Sequence, residues 1–423
     1  MPLKDSGLVR IKLVICRSEK IDACFMTDDS NLSILNRLSV ANDLNGASEI
    51  KALILKHHAE VSFEQIVIGM ESTSLYSFHP AMFFQEDADL NALPTVVTVE
   101  NPFKIKQYSR VFDEDKTDTN DAMRIADYLR IQRFTTSPIK EEKYMALQRL
   151  TRTRYQLVTE LVTVKQHFLE NLTYKCNTLS KELKSESTGI FSATIVHLMT
   201  ENYSLDELAN LPLEDFVQLI QNVGRSNFKN PEKLVKTIQR AIKNSYQLPR
   251  LMNESIDIIL STLVVQMRSL QQSIKQIDKG IEKLVEIIPE YQCLTSVPGI
   301  GKVYAAGILA EVGQIERFDD QAKVAKYAGL SWKVKQSGNY QSEVTPLTKQ
   351  GNHYLRYYLV EAANSVKNHL PEYTAFYKKK YTETPINKHR RAIVLTARKF
   401  VRLVDALLRN HQLYTPPKSV LKE

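Results

Sequence analysis

The sequence predicts an α/β N-terminal domain, then long paired helices, then an all-α C-terminal domain. Three observations predict it: short apolar runs broken by turn residues near the start, a sustained four-and-three apolar spacing from Ile256 to Ile288, and a glycine-punctuated packed pattern past Pro289. The expected boundaries are 1–135 for the first domain and 140–290 for the helices. Within the helices an insertion spans about 177–251, and the last domain spans 291–423.

In the first domain, Ile11-Lys12-Leu13-Val14-Ile15-Cys16 reads as an apolar strand. Gln65 to Met70 reads as a buried strand that ends in Glu71 and runs into Ser72-Thr73-Ser74, placing a carboxylate where a strand gives way to a turn. Sheets of α/β proteins carry their chemistry at such positions; a solvated strand end is the alternative. Thr95 to Val99 is a further strand, leading into Glu100-Asn101-Pro102-Phe103-Lys104. After it comes Lys116-Thr117-Asp118-Thr119-Asn120-Asp121-Ala122, where Asp118 and Asp121 share one face of a starting helix continued by Met123, Ile125, Ala126, Tyr128 and Leu129. Two such acids suit a divalent cation, which takes hard oxygen ligands. Capping and the helix dipole also favour Asp and Asn there, so both readings stand. Glu71, Asp118 and Asp121 are expected to converge on one sheet edge.

Ile256, Leu260, Leu263, Met267, Leu270, Ile274, Ile277, Ile281, Leu284 and Ile288 form a coiled-coil seam, so the helix needs a partner. Leu147, Leu150, Leu157, Leu161, Val164 and Phe168 form a less regular seam interrupted by Arg154, which fits an intrachain hairpin or pairing across a dimer. Between the two, Ser204-Leu205-Asp206-Glu207 reads as a capping box and Asn230-Pro231 as an N-cap followed by proline at the first helical position. These mark a small helical insertion.

Pro298-Gly299-Ile300-Gly301-Lys302 followed by Val303, Ala306, Ile308 and Leu309 resembles a helix-hairpin-helix turn, whose glycines let backbone amides approach phosphate. A tight turn between core helices needs the same glycines. Gln336-Ser337-Gly338-Asn339 on its own reads as a polar turn.

The formal net charge of +8 in 423 residues fits attraction to a polyanion without being diagnostic of it. From Lys388 onward nine basic residues face only Asp405 and Glu423, and Lys378-Lys379-Lys380 lies just upstream. This helix either lies on phosphates or is a solvated basic face. No apolar run is long enough to span a membrane, no secretory pattern opens the chain, and Cys16, Cys24, Cys176 and Cys293 lack metal or disulfide spacing. A cytoplasmic protein, nucleoid-associated when bound to DNA, is expected.

Several words then occur in one order: Met70-Glu71-Ser72-Thr73-Ser74-Leu75-Tyr76, Asn101-Pro102, Lys116-Thr117-Asp118 with Asp121-Ala122, Ser296-Val297-Pro298-Gly299-Ile300-Gly301, Tyr327-Ala328-Gly329-Leu330, Gln336-Ser337-Gly338, and Lys349-Gln350-Gly351-Asn352 with Leu355-Arg356. In these the chain resembles the serine-using transposases of insertion-sequence family 110, over nearly its whole length apart from the first residues and the middle insertion. The resemblance implies a RuvC-like (RNase H fold) domain whose Asp-Glu-Asp-Asp set binds Mg²⁺, with Glu71, Asp118 and Asp121 as catalytic and metal-binding residues. It implies Ser337 as the nucleophile that forms a phosphoserine link to DNA. It also implies DNA and a structured noncoding guide RNA as partners, with the serine and the carboxylates supplied by different subunits of a homo-oligomer, dimer or tetramer. Gly299, Gly301, Lys302, Lys349, Asn352 and Arg356 are the expected nucleic-acid contacts, with Lys104, Lys106 and Arg110 as further backbone candidates.

The chain departs from the family at the first Asp, where Ile15 stands in register, so impaired chemistry is expected. Two alternatives remain at this point: a metal-dependent junction nuclease that uses water, and an inactive DNA- or RNA-binding remnant.

Overall fold

A computed structural model describes residues 10–13, 19–27, 34–72, 75–100, 102–110, 118–130, 141–200, 203–224, 228–332, 336–337, 340–341, 347–348 and 350–416. The chain divides into two compact units, Met1–Glu141 with Gln314–Asp320, and Glu142–Gly313 with Gln321–Glu423.

The first unit is built on a sheet of β1 (Arg10–Leu13), β2 (Lys20–Met26), β3 (Ile34–Ala41), β4 (Gln65–Glu71) and β5 (Thr95–Glu100), in the order β3-β2-β1-β4-β5. The first three strands form an antiparallel meander, and β4 and β5 add in parallel to β1. This is the RNase H-like order that the resemblance implied. Helices α1 (Leu44–Glu60), α2 (Phe78–Glu86), α3 (Ala88–Asn91), α4 (Pro102–Ser109) and α5 (Asp118–Arg130) complete it. Strand β4 is buried from Ile66 to Met70 because helices cover both its faces, the condition that selects near-continuous apolar runs in parallel strands. Helix α5 packs across β2, β1 and β4. The approach is close at Gly69, where a Cβ would lie 2.3 Å from Leu129 Cδ1. Only glycine lets the helix sit this near the strand.

In the second unit α6 (Glu142–Lys175) pairs with α12 (Arg250–Val285). The pair is antiparallel, since Arg154 meets Asp278 at 2.6 Å and Lys175 meets Asp257 at 2.6 Å. Of the two pairings left open by the sequence, the structure therefore contains the intrachain one. Ile256, Leu260, Leu263, Met267 and Ile281 of the predicted seam are buried.

Between the long helices lie α7 (Leu179–Glu182), α8 (Ala193–Thr200), α9 (Leu205–Asn210), α10 (Leu213–Gly224) and α11 (Pro231–Lys243), which share one apolar core with the adjoining ends of α6 and α12. Both expected caps form. Ser204 and Glu207 exchange the reciprocal bonds of a capping box, and the Asn230 side chain accepts from Lys233 N ahead of Pro231.

The last part comprises α13 (Glu290–Thr295), α14 (Lys302–Val312), α15 (Gln321–Tyr327), α16 (His353–Val366), α17 (Pro371–Glu383) and α18 (Lys388–Arg409). It is not all-α as expected. Strands β6 (Gln336–Ser337) and β7 (Tyr340–Gln341) pair antiparallel, and Trp332 bridges Leu347. The signal was present in the sequence: the two strands are separated by Gly338-Asn339, a pair typical of two-residue hairpin connections.

Candidate active site

The carboxylates of the first unit are placed by strand register. Lys12 of β1 pairs with Val67 of parallel β4 and with Met26 of antiparallel β2. Four residues on from Val67 is Glu71, and four residues back from Met26 is Asp22. Carried forward along β2 and β4, these registers set the two acids level, about 10 Å apart at two strand spacings.

Both face α5. Glu71 shares the face of Gly69, the glycine against Leu129, because side chains two apart in a strand point the same way. It also lines a cleft of about 380 Å³ with Arg124 and Ile125 of α5 and with Phe103, Lys106 and Arg110. Asp22 lines a smaller hollow with Cys24, Arg37 and Ala122 of α5. Asp22 is 7% exposed. Its Oδ2 accepts no hydrogen bond among the described residues, and Lys20 Nζ lies 3.2 Å from it as an ion-pair partner.

The sequence alone does not put Asp22 on the side of Glu71, because one strand cannot be oriented without its neighbours. Asp118 and Asp121 open α5, so the helix that carries them begins beside the strands that carry Asp22 and Glu71. Their side chains, like Ile15, lie outside the described residues. Among the described residues no group of three His, Cys, Asp or Glu is close enough to hold a metal.

Glu71 pairs in register with Glu100, a residue the sequence reading left without a role. Glu100 is 2% exposed, its Oε1 accepts from Thr98 Oγ1 at 2.9 Å, and Lys104 Nζ lies 3.9 Å from Oε2. Burial raises its pKa above the ordinary carboxylate value, against the opposing pull of Thr98 and Lys104. The folded state therefore holds this proton more tightly than the unfolded chain. Stability must fall as pH rises from the ordinary carboxylate range through the raised folded value. Glu100→Gln is expected to flatten that limb and to raise the melting temperature of the first unit by about 2–4 °C at pH 7. Thermal scans from pH 4 to 8 that superimpose for the two proteins would contradict this.

Ser337 ends β6, and its side chain lies outside the described residues. The base of its hairpin is well defined. Thr348 N donates to Ser331 O at 2.8 Å, and the Ser331 and Thr348 hydroxyls are 3.1 Å apart. Just beyond, Asn352 N donates to Tyr327 O at 2.7 Å, and Gly351 (φ 125°) sits where a Cβ would meet that same carbonyl at 2.3 Å.

Asn352 is occupied inside the protein. Its Oδ1 caps α16 by accepting from Leu355 N at 3.0 Å, and its Nδ2 donates to Glu311 Oε2 at 2.5 Å. Glu311, on α14, is fully buried and also accepts from Arg152 Nε at 2.7 Å, Arg152 Nη2 at 2.8 Å and Gln148 Nε2 at 2.9 Å. Burial alone would lower the Arg152 pKa, but the Glu311 carboxylate outweighs it and the net shift is upward. Sequence reasoning missed this hub. Arg152 and Glu311 alone are 159 residues apart, and a Glu inside an apolar helix such as α14 was the one available signal.

The other expected nucleic-acid contacts also have structural duties. Gly299 (φ 94°) abuts α16, where a Cβ would meet Val366 N at 3.1 Å. Gly301 caps α14 and faces open space. Lys302 Nζ lies 3.3 Å from Glu282 Oε1, and Arg356 Nη1 donates to Ala328 O at 3.0 Å. Lys349 lies outside the described residues.

A five-stranded sheet of this order with acids at its strand ends, followed by a mostly helical unit, is the arrangement that the resemblance implied. Two family models match the chain: an IS110-type transposase domain of the Asp-Glu-Asp-Asp kind over residues 17–176, and the transposase IS116/IS110/IS902 family over residues 291–378. The uncharacterized 44.8 kDa protein of insertion element IS116 from Streptomyces clavuligerus is 26% identical over 314 residues, covering 73% of this chain and 74% of that one. The transposase for insertion sequence element IS1111A of Coxiella burnetii is 25% identical over 189 residues, 42% of this chain and 51% of that one. The chain belongs to the IS110 family of transposases and is a DNA transposase.

Proposed function

We propose that the protein cuts and rejoins DNA through Ser337, which forms a covalent link to the cleaved strand. Its Oγ attacks the scissile phosphorus, the Oγ–P bond forms as the P–O ester bond breaks, and the leaving strand hydroxyl takes a proton. A hydroxyl of the incoming strand then attacks the same phosphorus and releases the serine. The observation that carries this reading is the succession of the two matched family segments, with Glu71 at a strand end beside the start of the Asp118–Asp121 helix.

The donor set is all carboxylate, which suits Mg²⁺. Glu71, Asp118 and Asp121 would hold it, and it would supply neutralisation of charge on the phosphate. Asp22 is the residue best able to make up for Ile15, because it is buried, level with Glu71 and on the α5 face. A structured noncoding RNA would select sequence by base pairing. The paired α6 and α12 would act as a coiled coil, and the working form would be a dimer or tetramer. A junction nuclease and an inactive remnant are the rivals.

The test is strand exchange with Mg²⁺ and the element's own noncoding RNA, trapping serine-linked DNA from the unmodified chain, Ile15→Asp and Asp22→Asn. Adduct from the unmodified chain that Asp22→Asn abolishes supports substitution by Asp22. Adduct from Ile15→Asp alone shows an impaired copy. Cleavage without any serine adduct sinks the serine mechanism.

A further inference from the structure

Residues 177–290 lie outside both matched family segments, and the insertion they contain carries a helix with a row of exposed cations. In α11, Lys233, Lys236, Arg240 and Lys243 follow each other at three- and four-residue steps and are all exposed, while Leu234, Val235, Ile238, Ala241 and Ile242 face the core. Such spacing stacks the four cations in one row along the helix. Lys229, exposed just ahead of the Asn230 cap, extends the row.

The charges of the insertion are unevenly spread along the chain. Between 229 and 250 the sole acid is Glu232, in the first turn where the helix dipole favours it, whereas Asp206, Glu207, Glu214 and Asp215 gather on α9 and α10. Two of the cations are held in place: Lys233 lies 3.0 Å from Glu186 and Arg240 2.7 Å from Glu182. Lys229, Lys236 and Lys243 have no ion-pair partner among the described residues and project to solvent.

From these observations we infer that the exposed row on α11 is a docking surface for the sugar-phosphate backbone of duplex DNA, read without regard to sequence. Lys233 to Lys243 spans ten residues, about 15 Å of helix axis. That matches about four phosphates of one strand at 3.4 Å along the duplex axis. Tyr246, 84% exposed just past the helix, adds a hydroxyl donor at the end of the row. The inference rests on the chain being a DNA-binding transposase and adds a contact in a segment with no other assigned role.

The experiment measures binding of the full chain to a random duplex DNA of about 30 base pairs by fluorescence anisotropy, between 50 and 200 mM salt. The variant is Lys229→Gln/Lys236→Gln/Lys243→Gln. Each lost phosphate contact removes about 0.9 from the slope of log affinity against log salt, so the slope is expected to drop by about 2.7 and affinity near 0.1 M salt by about 10²-fold. A control, Lys275→Gln/Lys279→Gln/Lys283→Gln, removes equal charge from α12 where Asp278, Glu282 and Glu286 interleave, and is expected to keep the slope. An unchanged slope in the first variant, or an equal drop in the control, overturns the surface. Loss confined to duplex RNA of the same length overturns its assignment to DNA. Absence of DNA binding by the unmodified chain overturns the underlying reading as well.

Discussion

Ser337→Ala is expected to eliminate the covalent protein–DNA adduct and to lower strand exchange by about 10³-fold or more, while DNA affinity stays within about twofold. The magnitude follows from chemistry: a methyl group has no lone pair to offer phosphorus, and removing the nucleophile of a covalent mechanism costs several orders of magnitude. Binding should survive because Ser337 ends a two-residue strand, and the bonds between Ser331 and Thr348 that close its hairpin are made by other residues. Denaturing gels of labelled DNA report the adduct, and a filter-binding titration reports affinity. A nuclease that activates water would keep cutting after the substitution, so undiminished cleavage by Ser337→Ala would favour that rival.

The second large effect concerns stability. Glu311→Ala removes a fully buried carboxylate that accepts two bonds from Arg152, one from Gln148 and one from Asn352. Breaking a buried ion pair from one side leaves the other charge uncompensated, at a cost of about 3–5 kcal/mol. The Arg152 side chain keeps about a third of its surface in water, so the lower end, about 3 kcal/mol, is expected. Urea unfolding of the second unit should show the midpoint shift with an unchanged m-value. Glu311→Gln, which keeps the shape and can still accept from Asn352, should lose less. If alanine and glutamine variants unfold with the unmodified protein, the hub contributes no stability.

On the mechanism proposed above, the hub would also steady the segment that carries Ser337. Asn352 caps α16 and follows the segment that carries Ser337, so loosening Glu311 frees the amide that fixes one end of that segment. Arg152 further stacks over Tyr354, with its guanidinium carbon 4.6 Å from the ring centroid.

What could be read without coordinates was local. The strands ending at Glu71 and near Glu100, the start of α5 at Asp118, the seam of α12 and both helix caps of the insertion all follow from apolar period, turn residues and capping chemistry within a few positions. Family membership was legible for the same reason, because its words are short and ordered. The hairpin around Ser337 was misjudged as part of a helical domain. A two-residue strand carries almost no periodic signal, and the Gly338-Asn339 pair flanked by polar residues reads equally as a loop.

The sequence by itself determined the element types, the family and the carboxylate and serine candidates, since each depends on neighbours along the chain. Tertiary structure alone decided which acids share a face. Asp22 and Glu71 are level only because β1 pairs with β2 in one direction and with β4 in the other, and register is a property of pairs of strands. It likewise decided that Asn352 serves Glu311 and α16, because a buried carboxylate draws its donors from wherever the fold brings them, and here they come from α6 and from the turn before α16.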